Sequence, residues 1–455
     1  MADRIQPDYE KQHTWESYAA DLPVEYRQCL EEGRDVAAYA DLFGAVSRLP
    51  AGAHKARLAD ALYELVTDAP MRPDYPYREP DALEEIRELR PAAGFAARAA
   101  DEKLEDRLRG AWLGRICGCL LGKTVEGIRT EELHPLLRAS GNWPMHRYIR
   151  STDATEEMRE TYQFDLKHTC YADRVECMPA DDDTNYTVLY QVLIDRYGRD
   201  FTPEDVMRVW LDSQPKRAYC TAERVAYCNF VKGYTPPASA LWQNPYREWI
   251  GAQIRGDYFG YINPGDPEAA AGMAWRDACV SHVKNGIYGE MFAAAMLAAA
   301  AVESDIEGII RAGLSQIPET SRLYEAVSEV IASWRAGRSE DETFAMIAAR
   351  WDEHSAHDWC HTISNAMIVA AALLYGGGDY GRSVCRAVQA GFDTDCNGAT
   401  VGSVLGMRGG AAAIGPEWLE PIHGQLDTAI FGIGRVRVEE LVQKTLAHVR
   451  GNSEE

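Results

Sequence analysis

Apolar residues recur every three to four positions along most of the chain, as they do on one face of an α-helix. Near the N-terminus this spacing is seen at Val36, Ala37, Tyr39, Ala40, Leu42, Phe43 and Val46, and again at Leu58, Leu62, Leu65 and Val66. Later in the chain we predict helices at about 184–197, 203–213, 220–231, 268–302, 303–314, 319–335, 340–350, 361–375, 379–390 and 397–408. The strict two-residue alternation of a half-buried strand is hard to find. The pattern predicts an all-α fold.

A proline-rich connector at residues 69–76 ends the first group of helices, because proline cannot continue a helix. We expect a charged helix over 81–90 and a second helix from about residue 92 towards a glycine-rich stretch. Few flexible-linker residues separate these elements. We therefore predict that residues 1–100 form an appended helical segment, packed on a main domain of residues 101–455.

Two regions of the main domain, 135–180 and 234–268, have the composition of loops. They carry the prolines Pro135, Pro144, Pro179, Pro236, Pro237, Pro245, Pro264 and Pro267. Aromatic residues are interleaved with them: Trp143, Tyr148, Trp242, Trp249, Tyr258, Phe259 and Tyr261. The aromatics of 234–268 are candidates to stack on a base or another planar group.

Composition narrows the class of protein. Hydrophobic residues make up 46% of the 455 residues and the net charge is −23, which predicts a globular protein that binds neither nucleic acid nor anionic membranes but suits divalent cations. The longest apolar run, residues 291–302, is too short to span a bilayer, and the N-terminus has no apolar core typical of a signal peptide. Eleven cysteines without a C-x-x-C pair indicate reduced thiols and a cytoplasmic location.

Two stretches carry glycines at four-residue spacing. The first has Gly110, Gly114, Gly118 and Gly122, and the second has Gly398, Gly402 and Gly406. A glycine inside a helix costs roughly 1 kcal/mol relative to alanine, so the repeat predicts that another backbone packs very close to each strip. Glu126 follows the first strip.

Acidic residues open two of the predicted helices. Asp181, Asp182 and Asp183 precede the helix at 184–197, and Asp393 and Asp395 precede the second glycine strip. Acids at a helix start stabilise it by about 0.3–1 kcal/mol each, which explains one or two acids but not three in succession, since these repel one another. Clustered hard oxygen ligands select Mg²⁺, Mn²⁺ or Ca²⁺ over zinc.

Together, the glycine helix ending in V-E-G, the D-D-T at a helix start and the late G-x-D-T-D resemble the ADP-ribosylglycohydrolase family over residues 107–450. The resemblance implies an all-α fold and a site for two Mg²⁺ ions, with Mn²⁺ as the alternative, that hydrolyses N- or O-ribosyl bonds. It assigns Asp182, Asp183, Asp393 and Asp395 to the metals and Glu126 to the substrate.

Two positions depart from the family's pattern. Asp181 and Cys396 stand where the family has threonines that supply metal-ligand oxygens. Asp181 keeps a hard donor and adds charge, whereas the thiol of Cys396 removes one, so we expect one of two metals to bind more weakly or to take a water instead. Lys123 and Thr124 stand near the expected substrate entrance, where small residues or proline are common.

The resemblance also suggests substrate contacts outside the acidic motifs. Residues 281–290 are similar to the family's helix with a histidine near the site, which makes His282, Gly286 and Tyr288 candidates; a buried structural histidine is the equal alternative for His282. Asn365, one turn after His361, has the same standing.

Other chemistries find less support. His354, His357 and His361 have the residue type of zinc ligands but no H-E-x-x-H motif. Ser403 lacks the G-x-S-x-G of a serine hydrolase, and glycines 376–378 lack the Lys-Ser/Thr of a phosphate-binding loop.

The predicted mechanism places the 2′- and 3′-hydroxyls of a ribose on the metals, with Glu126 or Asp183 accepting a proton from water. One alternative is a metal-dependent ribosyl-binding protein without catalysis. Within the enzyme hypothesis, the substrate is either an ADP-ribosylated conjugate or a small nucleoside-like metabolite. Residues 1–100 and the proline-aromatic inserts favour the small substrate, since they could roof the site. The sequence leaves the aglycone and the oligomeric state open.

Overall fold

The computed structural model describes residues 8–92, 94–162 and 170–451. Its α-helices are α1 Leu22–Glu31, α2 Ala40–Ser47, α3 Ala53–Thr67, α4 Leu83–Glu88, α5 Leu104–Lys123, α6 Thr130–Ala139, α7 Glu156–Tyr162, α8 Asp182–Tyr197, α9 Pro203–Ser213, α10 Thr221–Val231, α11 Ala238–Leu241, α12 Asp257–Ile262, α13 Pro267–Ala278, α14 Asn285–Ala300, α15 Ile306–Leu314, α16 Arg322–Arg335, α17 Glu340–Arg350, α18 Ala356–Cys360, α19 Thr362–Gly376, α20 Tyr380–Gln389, α21 Thr394–Gly409, α22 Pro416–Leu419 and α23 Val438–Val449.

Short elements complete the described chain. Single 3₁₀ turns occur at Tyr9–Lys11, Tyr18–Ala20, Ala37–Tyr39, Lys216–Ala218, Gln253–Arg255, Ala411–Ala413 and Glu420–Ile422. Two strands, β1 Gln425–Asp427 and β2 Arg435–Arg437, pair antiparallel with Leu426 opposite Val436. The predicted all-α fold is confirmed. The hairpin was not predicted, because three residues are too few to reveal alternation.

The centre of the molecule is an antiparallel pair of glycine-faced helices, α5 and α21. A Cβ placed on Gly114 would lie 2.1 Å from the carbonyl oxygen of Gly402, and one placed on Gly118 would lie 2.0 Å from that of Gly398. No side chain fits at these distances, so the predicted close approach of a second backbone is confirmed. The antiparallel arrangement brings the end of α5, and Glu126 beyond it, beside the start of α21.

Two apolar helices, α14 and α19, flank this pair within one large core. Every residue of α14 is buried, and all of α19 except Tyr375. The predicted single helix at 268–302 is in fact two helices, α13 and α14. Lys284 separates them with a φ of 45°, and its N–H is accepted by Asp81 at 2.7 Å. A distant acid fixes this break, and no glycine or proline signals it.

Other boundaries also differ from the prediction. No helix begins at residue 92; residues 94–103 are irregular, and the Arg98 N–H bonds to the Gly265 carbonyl oxygen at 3.0 Å. The predicted loop regions contain the second half of α6, with Pro135 inside it, and also α7, α11 and α12. Packing of the apolar face of α6 outweighs the cost of its proline.

The N-terminal segment, residues 8–92, has a small apolar cluster of its own. Its buried members are Tyr18, Leu22, Cys29, Val36, Phe43, Val46, Ala59, Leu62 and Val66. Buried ion pairs join the segment to the rest of the chain: Arg247 contacts Glu25 at 3.0 Å and Glu32 at 2.7 Å, and Arg322 contacts Glu79 at 2.9 Å. The division of the chain at residue 100 stays a prediction. Among the described helices, none is both long and apolar enough to cross a bilayer.

Candidate active site

Three acids lie at the start of α8. Asp181 has extended backbone and caps the helix, its Oδ1 accepting the N–H of Asp183 at 2.9 Å. Asp182 and Asp183 occupy the first turn, and Asp183 is fully buried. Helix capping thus accounts for one oxygen of Asp181 and leaves the other two side chains for a different purpose.

The start of α21 is fixed by its neighbours. The hydroxyl of Thr394 donates to the Gly122 carbonyl oxygen at 2.9 Å, which fastens α21 to the end of α5. The amide oxygen of Asn365 accepts the Asp393 N–H at 3.3 Å and the Asn397 side-chain N–H at 2.8 Å. Asp393 and Asp395 are therefore held at a defined position, and Asn365 orients their loop.

The two helix starts meet. Side-chain donor atoms of Asp183, Asp395 and Cys396 all lie within 4.8 Å of one another, and so do those of Cys119, Asp181 and Asp183. The glycine contact between α5 and α21 is what makes this possible, since it lets the end of one helix lie directly against the start of the other.

Burial and mutual repulsion raise the pKa values of Glu126 and of four aspartates, Asp182, Asp183, Asp393 and Asp395. Burial, and after it the charge of Asp181, raises the pKa of Asp182 to about 7. Burial is also the main cause that raises the pKa values of Asp183, Asp393 and Asp395. The pKa of Glu126 is raised chiefly by the charge of Asp395. Such a cluster of carboxylates is costly unless a cation neutralises it.

Unpartnered oxygens point to the same conclusion. Among the described residues, Asp183 Oδ2 and Asp395 Oδ1 are buried and accept no hydrogen bond. Buried polar atoms rarely remain without a partner. Because both are carboxylate oxygens, these residues fit a hard divalent cation such as Mg²⁺.

Lys123 supplies a positive charge at one side of the cluster. Its Nζ lies 2.5 Å from Asp181 Oδ2. Burial opposes the lysine's charge, but Asp181 and Asp395 together raise its pKa above the ordinary value. The extra acid at position 181 is therefore paired with a lysine of α5.

Arg115 lies beneath the cluster and was missed by the sequence analysis. Its Nε donates to the Asp183 carbonyl oxygen at 2.9 Å, its Nη2 lies 3.2 Å from Asp183 Oδ1, and its Nη1 lies 2.8 Å from Asp257 Oδ2. All three side chains are fully buried. The available signal was a charged residue in the middle of the glycine-faced helix, where only a buried acid could compensate it.

Cys396 contributes a neutral thiol. Burial, followed by Asp183 and Asp393, raises the pKa of Cys396 well above its ordinary value. Metal ligation by cysteine requires the thiolate. In the absence of a thiolate, the side chain is a weak donor at a position adjoining Asp183 and Asp395.

The substrate residues predicted from 281–290 lie elsewhere. His282 is buried with its Nδ1 2.8 Å from Ser281 Oγ, Gly286 packs against the Arg247 backbone, and the Tyr288 hydroxyl donates to the Pro80 carbonyl oxygen at 2.5 Å. Within the described chain, none of the three hydrogen-bonds to an acid of the cluster. Their substrate-binding role stays a prediction.

A second group of potential metal ligands consists of Glu31, His357 and His361. Each histidine Nδ1 accepts a hydrogen bond from a group that can only donate: the Trp249 indole N–H to His357 at 3.1 Å, and the Ile363 backbone N–H to His361 at 3.1 Å. Both rings must therefore carry their proton on Nε2, the atom that faces Glu31. A protonated nitrogen cannot ligate a metal, so this group is a clamp on Glu31. His357 Nε2 hydrogen-bonds Glu31 at 3.0 Å, and His361 Nε2 lies 3.7 Å from it without a hydrogen bond among the described residues.

A comparison with protein families agrees with the motifs. The family model described as ADP-ribosylglycohydrolase matches residues 100–455. A solved structure entitled "ADP-ribosylglycohydrolase-related protein complex" is 20% identical and aligns over 77% of this chain and 99% of its own, with a TM-score of 0.48. No curated protein matches the chain. The match over residues 100–455 confirms the resemblance seen in the sequence.

Proposed function

Because the chain belongs to the ADP-ribosylglycohydrolase family, which hydrolyses glycosidic bonds and whose members depend on metal ions, we propose that it hydrolyses the N- or O-glycosidic bond of a ribosyl group. The observation that carries the proposal is the meeting of two buried helix starts whose free oxygens, Asp183 Oδ2 and Asp395 Oδ1, lack a partner.

The metal ligands of this proposal are Asp182, Asp183, Asp393 and Asp395, with Asp181 and Cys396 at the edge of the cluster. A divalent cation bound there would act as a Lewis acid towards ribose hydroxyls and water. Arg115 holds Asp183 Oδ1 and so keeps the other oxygen directed to the cluster. Asn365 accepts the backbone N–H of Asp393 and so fixes the position of the loop that carries Asp393.

Glu126 is the proposed general base. Its side chain is exposed to solvent, so that it can reach a water molecule, whereas Asp183 is enclosed and held by Arg115. The neighbouring charge of Asp395 raises the pKa of Glu126, which makes its carboxylate a stronger proton acceptor. As the water oxygen bonds to C1′, Glu126 takes the water's proton; the bond to the aglycone breaks, and the aglycone leaves with the electron pair and is protonated by solvent.

Cleavage of a substrate panel tests this function. The panel contains ADP-ribosyl-arginine, ADP-ribosyl-serine, ADP-ribose 1″-conjugates and ribonucleosides, each assayed with MgCl₂, with EDTA, and as 2′-deoxy or 3′-deoxy counterparts where these exist. We expect cleavage of at least one ribosyl substrate, its loss in EDTA and its recovery with added Mg²⁺. Asp395→Asn should abolish cleavage, while Asp212→Asn, the same change at an exposed position, should not.

Two results would contradict the proposal. Full activity in EDTA or in the Asp395→Asn variant would exclude the metal-dependent mechanism. Binding of a ribosyl ligand without cleavage of any panel member would favour the alternative, a non-catalytic ribosyl-binding protein of the same fold.

A further inference from the structure

A cavity of about 690 Å³ lies between the N-terminal segment and the part of the chain that matches the family, residues 100–455. Most of its lining comes from residues 9–24 and 51–60 of that segment. The opposite wall is formed by Arg129, Thr221, Gln243, Tyr246, Trp249, Ala356, Trp359 and Cys360. Small-molecule sites commonly enclose about 300–1,000 Å³, so the cavity has the size of a ligand site.

The inner wall of this cavity adjoins the acidic cluster. Asn365, whose oxygen accepts the Asp393 N–H, donates from its amide nitrogen to the Trp359 carbonyl oxygen at 2.9 Å. After burial, the charges of Asp393 and Glu126 are the main causes that raise the pKa of the Cys360 thiol. Along the chain, Arg129 follows Glu126 by three residues. Trp359 and Cys360 therefore lie both in the cavity wall and beside the acids.

The walls of the cavity are aromatic on both sides. Trp15 belongs to one apolar cluster with Trp249, Trp359 and Cys360, and the Arg224 guanidinium lies 5.0 Å from the centre of the Trp15 ring. These rings form flat apolar surfaces, which suit a planar ligand.

The charges of the cavity do not suit a diphosphate. Its lining has two permanent cations: Lys55, which donates to the Ser47 carbonyl oxygen at 2.9 Å, and Arg129, which lies 5.0 Å from the centre of the Trp359 ring. Three acids, Glu16, Asp21 and Asp60, line the same space. Diphosphates are bound where positive charge predominates, and in this lining the acids outnumber the two permanent cations.

We propose that the N-terminal segment completes the substrate site, and that the cavity holds the planar aromatic aglycone of a small riboside without a phosphate group. The inference rests on the proposed function, because the acids supply the ribose end of the same site. It assigns residues 8–92 a direct part in substrate selection, with Trp15 as a binding residue for the aglycone.

Ligand binding to single-residue variants tests the proposal independently of catalysis. Dissociation constants are measured by calorimetry in MgCl₂ for adenosine, which has an aromatic aglycone, and for methyl β-D-ribofuranoside, which has none. Trp15→Ala should weaken adenosine binding about tenfold or more, the range expected for loss of one stacking contact, and leave methyl riboside binding unchanged. Trp15→Phe should restore most of the affinity for adenosine.

The matched control is Trp242→Ala. Trp242 packs on Tyr63 of the N-terminal segment, with ring centres 5.1 Å apart, but does not line the cavity. It therefore reports any general loosening of the segment, and adenosine binding should be unchanged. Should Trp15→Ala not fold, Trp359→Leu makes the same test from the opposite wall.

Several outcomes would overturn the inference. The first is that Trp15→Ala weakens the binding of adenosine and of methyl riboside by the same factor. The second is that Trp242→Ala weakens adenosine binding as much as Trp15→Ala does. The third is that the wild-type protein binds ADP-ribose more tightly than adenosine. If the wild-type protein cleaves a riboside while one of these results is found, the proposed function stands and only the aglycone site is wrong. If it cleaves none but binds adenosine through Trp15, the proposed function fails and the aromatic site stands.

Discussion

At the residue scale, the acids of the site differ in what neutralises them. Asp181 is paired with Lys123, and one oxygen of Asp183 is paired with Arg115. Asp183 Oδ2 and Asp395 Oδ1 have no hydrogen-bond partner among the described residues. The site therefore supplies its own cations to two of its acids, and we propose that a metal ion neutralises the others.

Glu126→Gln should lower turnover by about 10²–10⁴-fold, the usual contribution of one acid–base group. Metal affinity should persist, because Glu126 lies beyond the end of α5 and is exposed to solvent. Steady-state kinetics give the first quantity and Mg²⁺ calorimetry the second. Glu131→Gln, an exposed acid of the neighbouring helix, is the control and should behave as wild type. An unaltered turnover number in Glu126→Gln would exclude it as the base.

Cys396→Thr should tighten Mg²⁺ binding, because a hydroxyl oxygen replaces a neutral thiol at a position within 4.8 Å of the Asp183 and Asp395 oxygens. The matched variant is Cys396→Val, which has the shape of threonine but no oxygen and should not tighten binding. Calorimetric titration with MgCl₂ makes the comparison. Equal affinities in the two variants would show that the side chain at 396 does not contact a metal.

At the element scale, helices α5 and α21 set the geometry of the site. Their glycines bring the end of one helix against the start of the other, and Thr394 fixes the register by donating to Gly122. The distance between Asp183 and Asp395 therefore depends on a backbone contact many residues away. A change on the glycine face should affect stability and metal binding together.

Gly402→Ala tests this dependence. The new Cβ would lie 2.1 Å from the Gly114 carbonyl oxygen, and because that atom belongs to a helix backbone, the two helices must separate. Overpacking of this kind costs about 1–3 kcal/mol or more, so thermal unfolding should shift to a clearly lower temperature.

The control is Gly272→Ala in α13, where the nearest atom to a new Cβ is the Arg87 side chain at 4.0 Å. There the same substitution should be neutral or stabilising, by up to about 1 kcal/mol of helix propensity. Equal melting temperatures for the two variants would contradict the account of the helix pair.

Helix periodicity predicted most elements because the fold is all-α and its helices are amphipathic or apolar. It failed where a distant contact decides the backbone. The break at Lys284 depends on Asp81, and the irregular course of residues 94–103 depends on Gly265. Neither dependence can be seen locally in the sequence.

The motifs predicted the acids of the site but not what holds them. Asp183 and Asp395 carry a recognisable pattern, since several acids at a helix start are unusual. Arg115 and Lys123 could not be assigned, because their partners are distant in sequence and only the packing of α5 against α8 and α21 brings them together. The sequence raised the possibility that residues 1–100 cover the site, but it could not predict which residues line the cavity, since two separate parts of the chain form its walls.

At the scale of the whole molecule, the N-terminal segment is held by buried ion pairs in addition to its apolar contacts. Burial alone would raise the pKa of Glu32, but Arg247 and then Lys284 lower it to about 2. Glu32 is 2% exposed. Its ionised form is therefore stabilised by docking of the segment, which links the docked state to pH.

The sign of this linkage follows from the lowered pKa. Glu32 contributes its full stabilisation above the ordinary pKa of 4.5, and the contribution is lost as the pH falls from about 4.5 towards 2. A shift of this size corresponds to roughly 3 kcal/mol. We expect the melting temperature of the wild type to fall more steeply in this window than that of Glu32→Gln, as measured by circular dichroism. Parallel curves for the two proteins would contradict the linkage.

The contact of Glu31 with His357 and His361 makes the docking of the N-terminal segment directly observable. Since the Trp249 and Ile363 N–H groups fix the rings of His357 and His361 in the Nε2–H form, each imidazole holds a shielded proton that exists in one tautomer only. In a nitrogen-15 spectrum the His357 ring would report whether the first helix is in place, because its Nε2 proton is the one bonded to Glu31. Release of Glu31 would free this proton to exchange with water, so its exchange rate would measure the docking of the first helix.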